Sequence, residues 1–311
     1  MAQLGIMIEG QDGLNWIRWQ RILQAAEDFG FQCVFRSDHF TNASGEDKDS
    51  LELWVSLTYA ASHTSRIEFG SLVAPVTFRH PAMTVRMAAA VDDLSDGRLV
   101  LGLGAGWQER EHKKFGLLFY DFPTRYAMFE EALEITKRLL ESDHQTSYKG
   151  QYFSLEQAVL LPRPKRRTPI LIGGNGPKHT LPLVARYADE WNAVYLPLEI
   201  YKERFALLDE LLKAAKREPT SVKRSLMTGT LFAQNDAELQ HKLDEMSQKR
   251  GETVTVQSLQ ARGLIVGTPS MFVDQLNMYA QAGVERFMLQ WLDQDDIAGL
   301  ERLAKDVMPY V

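Results

Sequence analysis

Eight times along the chain, a short and nearly continuous apolar run gives way to polar or glycine residues. In most units a segment then follows whose apolar positions recur every three or four residues. The apolar runs are residues 4–8, 31–35, 66–73, 98–104, 169–172, 190–194, 224–232 and 285–290. Runs of this length without polar alternation are those of strands buried on both faces. The periodic segments read as helices at 15–29, 51–62, from Pro81 to about 94, 125–141, 181–187, 201–216, 237–250, 271–282 and 296–306. The clearest is 125–141, where Phe129, Leu133, Thr136 and Leu140 share a face and Glu134 stands four residues before Arg138. Two stretches break the rhythm: 143–168, with a small hairpin at 148–155, and 251–266. A polar loop at 41–50 follows the second run.

Strand-helix alternation of this kind means parallel strands with helical crossovers. Eight units predict an α/β chain closed as a (β/α)8 TIM barrel, with insertions after strands four and seven, rather than an open doubly wound sheet. The 311 residues suit one such domain, 1–311, and no Ser/Pro-rich linker divides them.

Composition narrows the function classes. Apolar residues make up 45% and charged residues 24%, the proportions of a globular protein with an ample core. A net charge of −6 argues against a nucleic-acid or anionic-membrane binder. Cys33 is the only cysteine, which leaves no intramolecular disulfide and no thiolate metal cage. No run approaches the roughly 18 apolar residues of a membrane span, and the start of the chain has no basic, cleavable leader. A cytoplasmic protein is expected.

A barrel brings the polar groups that follow each strand to one mouth. Those groups are Glu9, Asp38, His39, Ser71, residues 104–109, residues 173–177, Tyr195 and Trp291. The two glycine clusters let backbone N–H groups approach a ligand closely. Gly174, Asn175 and Gly176 lie just before a helix, where a phosphate is favoured. Together they suit a phosphorylated planar cofactor, although either cluster alone equally suits a plain tight turn. Neither fits G-x-G-x-x-G, because Trp107 stands in the third glycine's place, and there is no Walker lysine or H-E-x-x-H. Glu109 and His112 have E-x-x-H spacing but lack the second copy a carboxylate-bridged metal site needs, so no metal is expected. His39 suits either a loop cap or, titrating near neutrality, an acid–base group. Arg79-His-Pro81 reads as structural, and residues 83–90 as core packing.

Several of these segments resemble one family. They are Ala26-Glu-Asp-Phe-Gly-Phe31, Arg36-Ser-Asp-His-Phe40, Thr77-Phe-Arg-His-Pro81, Leu94-Ser-Asp-Gly-Arg-Leu-Val-Leu-Gly-Leu-Gly-Ala-Gly-Trp107, Pro169-Ile-Leu-Ile-Gly-Gly-Asn-Gly176 and Ala188-Asp-Glu-Trp-Asn192. As a set they resemble the bacterial luciferase-like monooxygenase superfamily. The resemblance implies a TIM barrel with long insertions that binds coenzyme F420, a deazaflavin, or FMN at its mouth. The Ser-Asp-His form of the second motif is similar to the F420 branch. Carried over by position, His39 becomes the catalytic acid–base or charge stabiliser and Glu109 a second proton-handling group. Gly106, Gly174, Asn175 and Gly176 would hold the cofactor tail and phosphate. Asp38, Ser71, Leu72, Val73, Gly104, Ala105 and Gly173 would complete the cofactor site. The family's third-strand bulge, with its non-proline cis peptide, maps near the Ser71–Leu72 bond.

One departure matters: the luciferases proper place an arginine for the FMN phosphate where this chain has Ala105. The first expectation is therefore an F420-dependent oxidoreductase moving a hydride to or from a small organic substrate. The second is an FMN-dependent monooxygenase using dioxygen, served by a separate flavin reductase, with 41–50 and 143–168 as a lid. The third is a flavin-binding protein without turnover. The resemblance also implies a homodimer; no nucleic-acid or membrane partner is expected.

Overall fold

The computed structural model describes residues 2–311. Its eight principal strands are β1 (Gln3–Ile8), β2 (Cys33–Arg36), β3 (Glu68–Ser71), β4 (Leu99–Gly104), β5 (Ile170–Gly173), β6 (Glu190–Val194), β7 (Lys223–Phe232) and β8 (Arg286–Gln290). Each pairs in parallel with the next, and β8 pairs with β1, with Ile6 opposite Val34 on one side and Leu289 on the other. The sheet is therefore closed, and the chain is a (β/α)8 TIM barrel.

The apolar runs are continuous because both strand faces are covered. Leu4, Ile6, Ile8, Leu99, Leu101, Leu103, Ile170 and Ile172 point outward into one core shared with the helices. Met7, Cys33, Phe35, Val100, Leu171, Met227 and Met288 point inward and fill the barrel. Each such aliphatic side chain contributes about 1.5–3 kcal/mol by leaving water. Cys33 is one of them, and burial pushes its thiol up to about 12.

The helices are α1 (Trp16–Phe29), α2 (Leu53–His63), α3 (Pro81–Leu94), α4 (Glu109–Lys114), α5 (Phe122–Glu141), α6 (Thr180–Tyr187), α7 (Leu198–Ala214), α8 (Asp236–Arg250), α9 (Val256–Gln260), α10 (Pro269–Gln281) and α11 (Ile297–Asp306). Local chemistry sets their ends. The Asn15 side chain accepts from Arg18 N–H to open α1, and Gly30, at φ 89°, closes it. Among the described residues no helix is long and apolar enough to cross a membrane.

Three differences from the sequence reading have local causes. Strand three stops at Ser71 and pairing resumes at Ala74–Pro75, opposite Leu103 and Gly104, so 66–73 is not one strand. Helix α4 has no apolar period to announce it; it is six residues, Glu-Arg-Glu-His-Lys-Lys. The stretch 251–266 holds α9 and most of a strand, Ile265–Gly267, which extends the sheet beside Thr230–Phe232. The other insertion is the antiparallel pair Thr146–Lys149 and Ser154–Ala158.

A polar layer closes the barrel's N-terminal end. The buried Arg286 guanidinium on β8 meets Glu190 on β6 at 3.1 Å, Glu68 on β3, and the Gln3 amide oxygen on β1 at 2.9 Å. The opposite end is open.

Candidate active site

At the C-terminal mouth the strand ends enclose a cavity of about 580 Å³. Its floor is Met7, Asn192 and Met227, from β1, β6 and β7. Leu72, Val73 and residues 104–107 form one wall, and Gly173, Gly174 and Val194 the other; Glu9, Gln11, Ser37, His39, Glu111 and Phe122 also border it. The glycines are spatial necessities. A Cβ on Gly104 would come within 2.6 Å of Val73 Cγ2, and Gly106 sits at φ +77° with Thr77 Oγ1 only 2.8 Å from where its Cβ would lie. The non-proline cis peptide joins Leu72 to Val73, one bond beyond the expected Ser71–Leu72.

His39 follows β2 on the rim. Its Nδ1 lies 2.9 Å from Glu111 Oε1, and the Phe40 N–H donates to Glu111 Oε2 at 2.9 Å. Glu111, on α4, is only 1% exposed. Burial alone would depress the His39 pKa, but the hydrogen bond and charge of Glu111, with smaller help from Glu9, leave it raised above 6.5. The Trp107 ring meets the imidazole edge-on at 5.4 Å between centroids and is otherwise 64% exposed.

Glu9 is the sink of a second network. The Gln290 amide donates to one of its oxygens at 2.7 Å and the Gln11 amide to the other at 2.9 Å. Tyr195 O–H in turn donates to Gln290, and Ser37 O–H to Gln11 at 2.7 Å. Burial, reinforced by the Glu9 charge, pushes the Tyr195 phenol up to about 12. Among the described residues no Lys or Arg lines the cavity.

Leu72, Val73, Gly104, Ala105, Gly106, Gly173, Gly174 and His39 line this one cavity. Five other expected residues do not line the cavity. The exposed Glu109 carboxylate pairs with Lys113 at 2.8 Å on the outer face of α4, which holds it below the usual carboxylate range. Residues two apart face different sides of a helix, so Glu111 meets His39 and Glu109 meets water. Asp38 turns the other way. It is buried against Arg79 (2.5 and 3.3 Å), which also meets Glu52 at 2.7 Å. Burial pushes the Asp38 carboxyl up to about 6 against the pull of Arg79, and the pair braces the loop after β2. Ser71 Oγ donates to Gly102 O and accepts from Gly102 N–H, tying β3 to β4. The Asn175 amide bridges Val194 N–H and C=O, fixing the loop after β5 to β6. Gly176 caps the turn into α6, its carbonyl accepting from Leu181 N–H.

Sequence reasoning gave no role to Glu111, Gln11 or Asn192, and gave Glu9 and Trp107 only a place at the mouth. The Glu-Arg-Glu run held the signal for Glu111, but only a helix phase could have separated its two carboxylates.

The sequence model described as luciferase-like monooxygenase matches residues 8–286. An F420-dependent glucose-6-phosphate dehydrogenase of Amycolatopsis mediterranei is 24% identical over 91% of this chain and 91% of its own. An F420-dependent hydroxymycolic acid dehydrogenase of Mycobacterium tuberculosis is 30% identical over 64% of this chain and 54% of its own. Among solved structures, an F420-dependent secondary alcohol dehydrogenase in complex with an F420-acetone adduct superposes with a TM-score of 0.85. It covers 100% of this chain and 99% of that one at 20% identity, a likeness of fold.

Proposed function

The chain belongs to the luciferase-like monooxygenase family, and on that premise we propose that it is an F420-dependent oxidoreductase moving a hydride between the deazaflavin and a small organic substrate. One observation carries the reading. A glycine-walled cavity at the barrel's C-terminal mouth presents a single imidazole, His39, backed by a buried carboxylate. The F420-dependent relatives support the same choice, as does Ala105 in the place of the luciferases' phosphate-holding arginine.

The residues present fit the cofactor. At Gly104, Gly106 and Gly174 the place of a Cβ is crowded by Val73, Thr77 and Thr180, so the glycines let this wall pack closely, and Val73 lines the cavity where a flat ring would lie. The loop 173–176 runs toward α6, whose N-cap residue His179 makes no side-chain cap. With Leu181 N–H held by Gly176 O and Pro182 lacking an N–H, the Thr180 N–H and the helix dipole would hold the phosphate. When bound, the deazaflavin supplies a carbon that accepts or releases hydride.

The chain's own part is binding, orientation and proton management. The Val73 wall and the glycine segment orient the ring, and Met7 and Met227 keep the floor apolar. His39 gives or takes the proton that accompanies hydride movement, at Nε2, the nitrogen turned from Glu111.

Titrating the purified protein with F420 and with FMN, reading fluorescence quenching, tests this. Saturable F420 quenching and much weaker FMN binding are expected. Tight FMN binding without F420 binding overturns the reading in favour of the monooxygenase with its separate reductase. His39→Ala is expected to keep F420 binding and lose roughly 10²–10⁴-fold of turnover. Full turnover by that variant would remove His39 from catalysis, and F420 binding by wild type with no turnover on alcohols or ketones would leave a cofactor carrier.

A further inference from the structure

We propose that Glu111 is a positioning residue that fixes the protonation of His39: it keeps a proton on Nδ1, turns Nε2 to the cavity and favours the imidazolium. The inference deepens the functional reading, but its first test needs neither cofactor nor substrate.

Two groups compete for Nδ1. Glu111 Oε1 stands 2.9 Å away and Gln108 Nε2 3.2 Å away. Their demands are opposite, since a carboxylate only accepts and an amide nitrogen only donates. Gln108 has another outlet, because its Nε2 donates to Thr41 O at 2.9 Å. Glu111 does not. It is buried, its second oxygen holds the Phe40 N–H, and its only cationic partner among the described residues is His39. A buried carboxylate short of donors is costly, so the shared proton belongs on Nδ1. The neutral ring then shows a lone pair at Nε2, and the charged ring shows an N–H.

The surroundings favour the charged ring. Glu9 at the end of β1 and Glu111 on α4 both face it, and Asp38 beside it is matched by Arg79 from the loop after β3. No Lys or Arg among the described residues lines the cavity to oppose it. His112, the other imidazole of α4, is engaged elsewhere, with Nε2 2.8 Å from Thr77 Oγ1 and Nδ1 2.7 Å from Gln108 O. Among the described residues, His39 is thus the only group in the cavity lining that can become a cation near neutrality.

Replacing the acid by its amide separates positioning from bulk. In Glu111→Gln the amide oxygen can still accept from Phe40, while its nitrogen donates to Nδ1 and drives the proton to Nε2. The same logic holds wherever a carboxylate sets a histidine tautomer.

The experiment is an NMR titration of ring-labelled histidines in the full-length protein, with His39 assigned by its loss in His39→Asn. In wild type, His39 should titrate above the ordinary histidine value and be an Nδ1–H tautomer when neutral. In Glu111→Gln its midpoint should fall by about one to two pH units and its tautomer reverse. Gln108→Met should leave both as in wild type. An unchanged midpoint and tautomer in Glu111→Gln overturns the proposal, and so does a reversal in Gln108→Met. If Glu111→Gln does not fold, wild type decides alone: an Nε2–H tautomer or a depressed midpoint sinks it. Failure of F420 to bind would count against the functional reading and leave this result standing.

Discussion

The two ends of the barrel solve the same electrostatic problem in opposite ways. Each gathers carboxylates from separate elements around one cation. At the N-terminal end the cation is Arg286, buried, permanently charged and bonded through each of its three guanidinium nitrogens, to Gln3, Glu190 and Glu68. At the C-terminal end it is His39, which can lose its charge, is held on one side only by Glu111, and faces a cavity with the other. A guanidinium suits a closed network because it offers five fixed donors and does not titrate. An imidazole suits an open one because its charge changes near neutrality. The closed end holds strands together; the open end keeps a proton available. That division follows the general rule for such barrels, with stability at the bottom and chemistry at the top.

Three measurements can break or sharpen this contrast. The largest effect is expected at the closed end. Arg286→Met strands Glu190, whose carboxyl burial already raises against the pull of Arg286, and breaking a buried pair this way costs about 3–5 kcal/mol. Urea unfolding reads it directly, and the surviving folded protein should still bind F420. A loss below about 1 kcal/mol would mean that the layer does not hold the barrel together.

A smaller, pH-dependent effect belongs to the open end. The folded His39 pKa is raised, so its pairing with Glu111 stabilises fully below the ordinary value of 6.5 and is lost as pH rises through the raised value. The stability gap between wild type and Glu111→Gln should therefore shrink from pH 6 toward pH 9. A gap that widens with pH would contradict the sign of the coupling.

The smallest effect is expected at Glu109, on the outer face of the same helix. Its pairing with Lys113 is solvent-exposed, so Glu109→Gln should leave the urea unfolding midpoint and F420 affinity as in wild type. A large loss of affinity would return Glu109 to the site in place of Glu111.

Much of this was legible beforehand. The eight strands, the closed barrel and the glycine wall at 104–106 followed from apolar runs and glycine spacing, because burial on both faces and close backbone approach leave local marks. His39 was legible for the same reason: a strand end at a barrel mouth can point only a few ways. The polar side chains around it were not. Asp38 and His39 are neighbours, yet one turns down to Arg79 and the other up to Glu111. Ser71 and Asn175 sit in the right segments but spend their hydrogen bonds on adjacent strands.

The sequence by itself therefore determined the barrel, the family likeness and the mouth at which the candidate site lies, since strand and helix periodicities are properties of consecutive residues. Only the tertiary structure decided which carboxylate serves His39. Glu111 lies 72 residues further along the chain, and it reaches the imidazole because α4, which has no apolar period of its own, docks with that face inward. A rotation of that short helix by two residues would have presented Glu109 instead. The choice depends on packing between distant segments, and nothing in Glu-Arg-Glu records it.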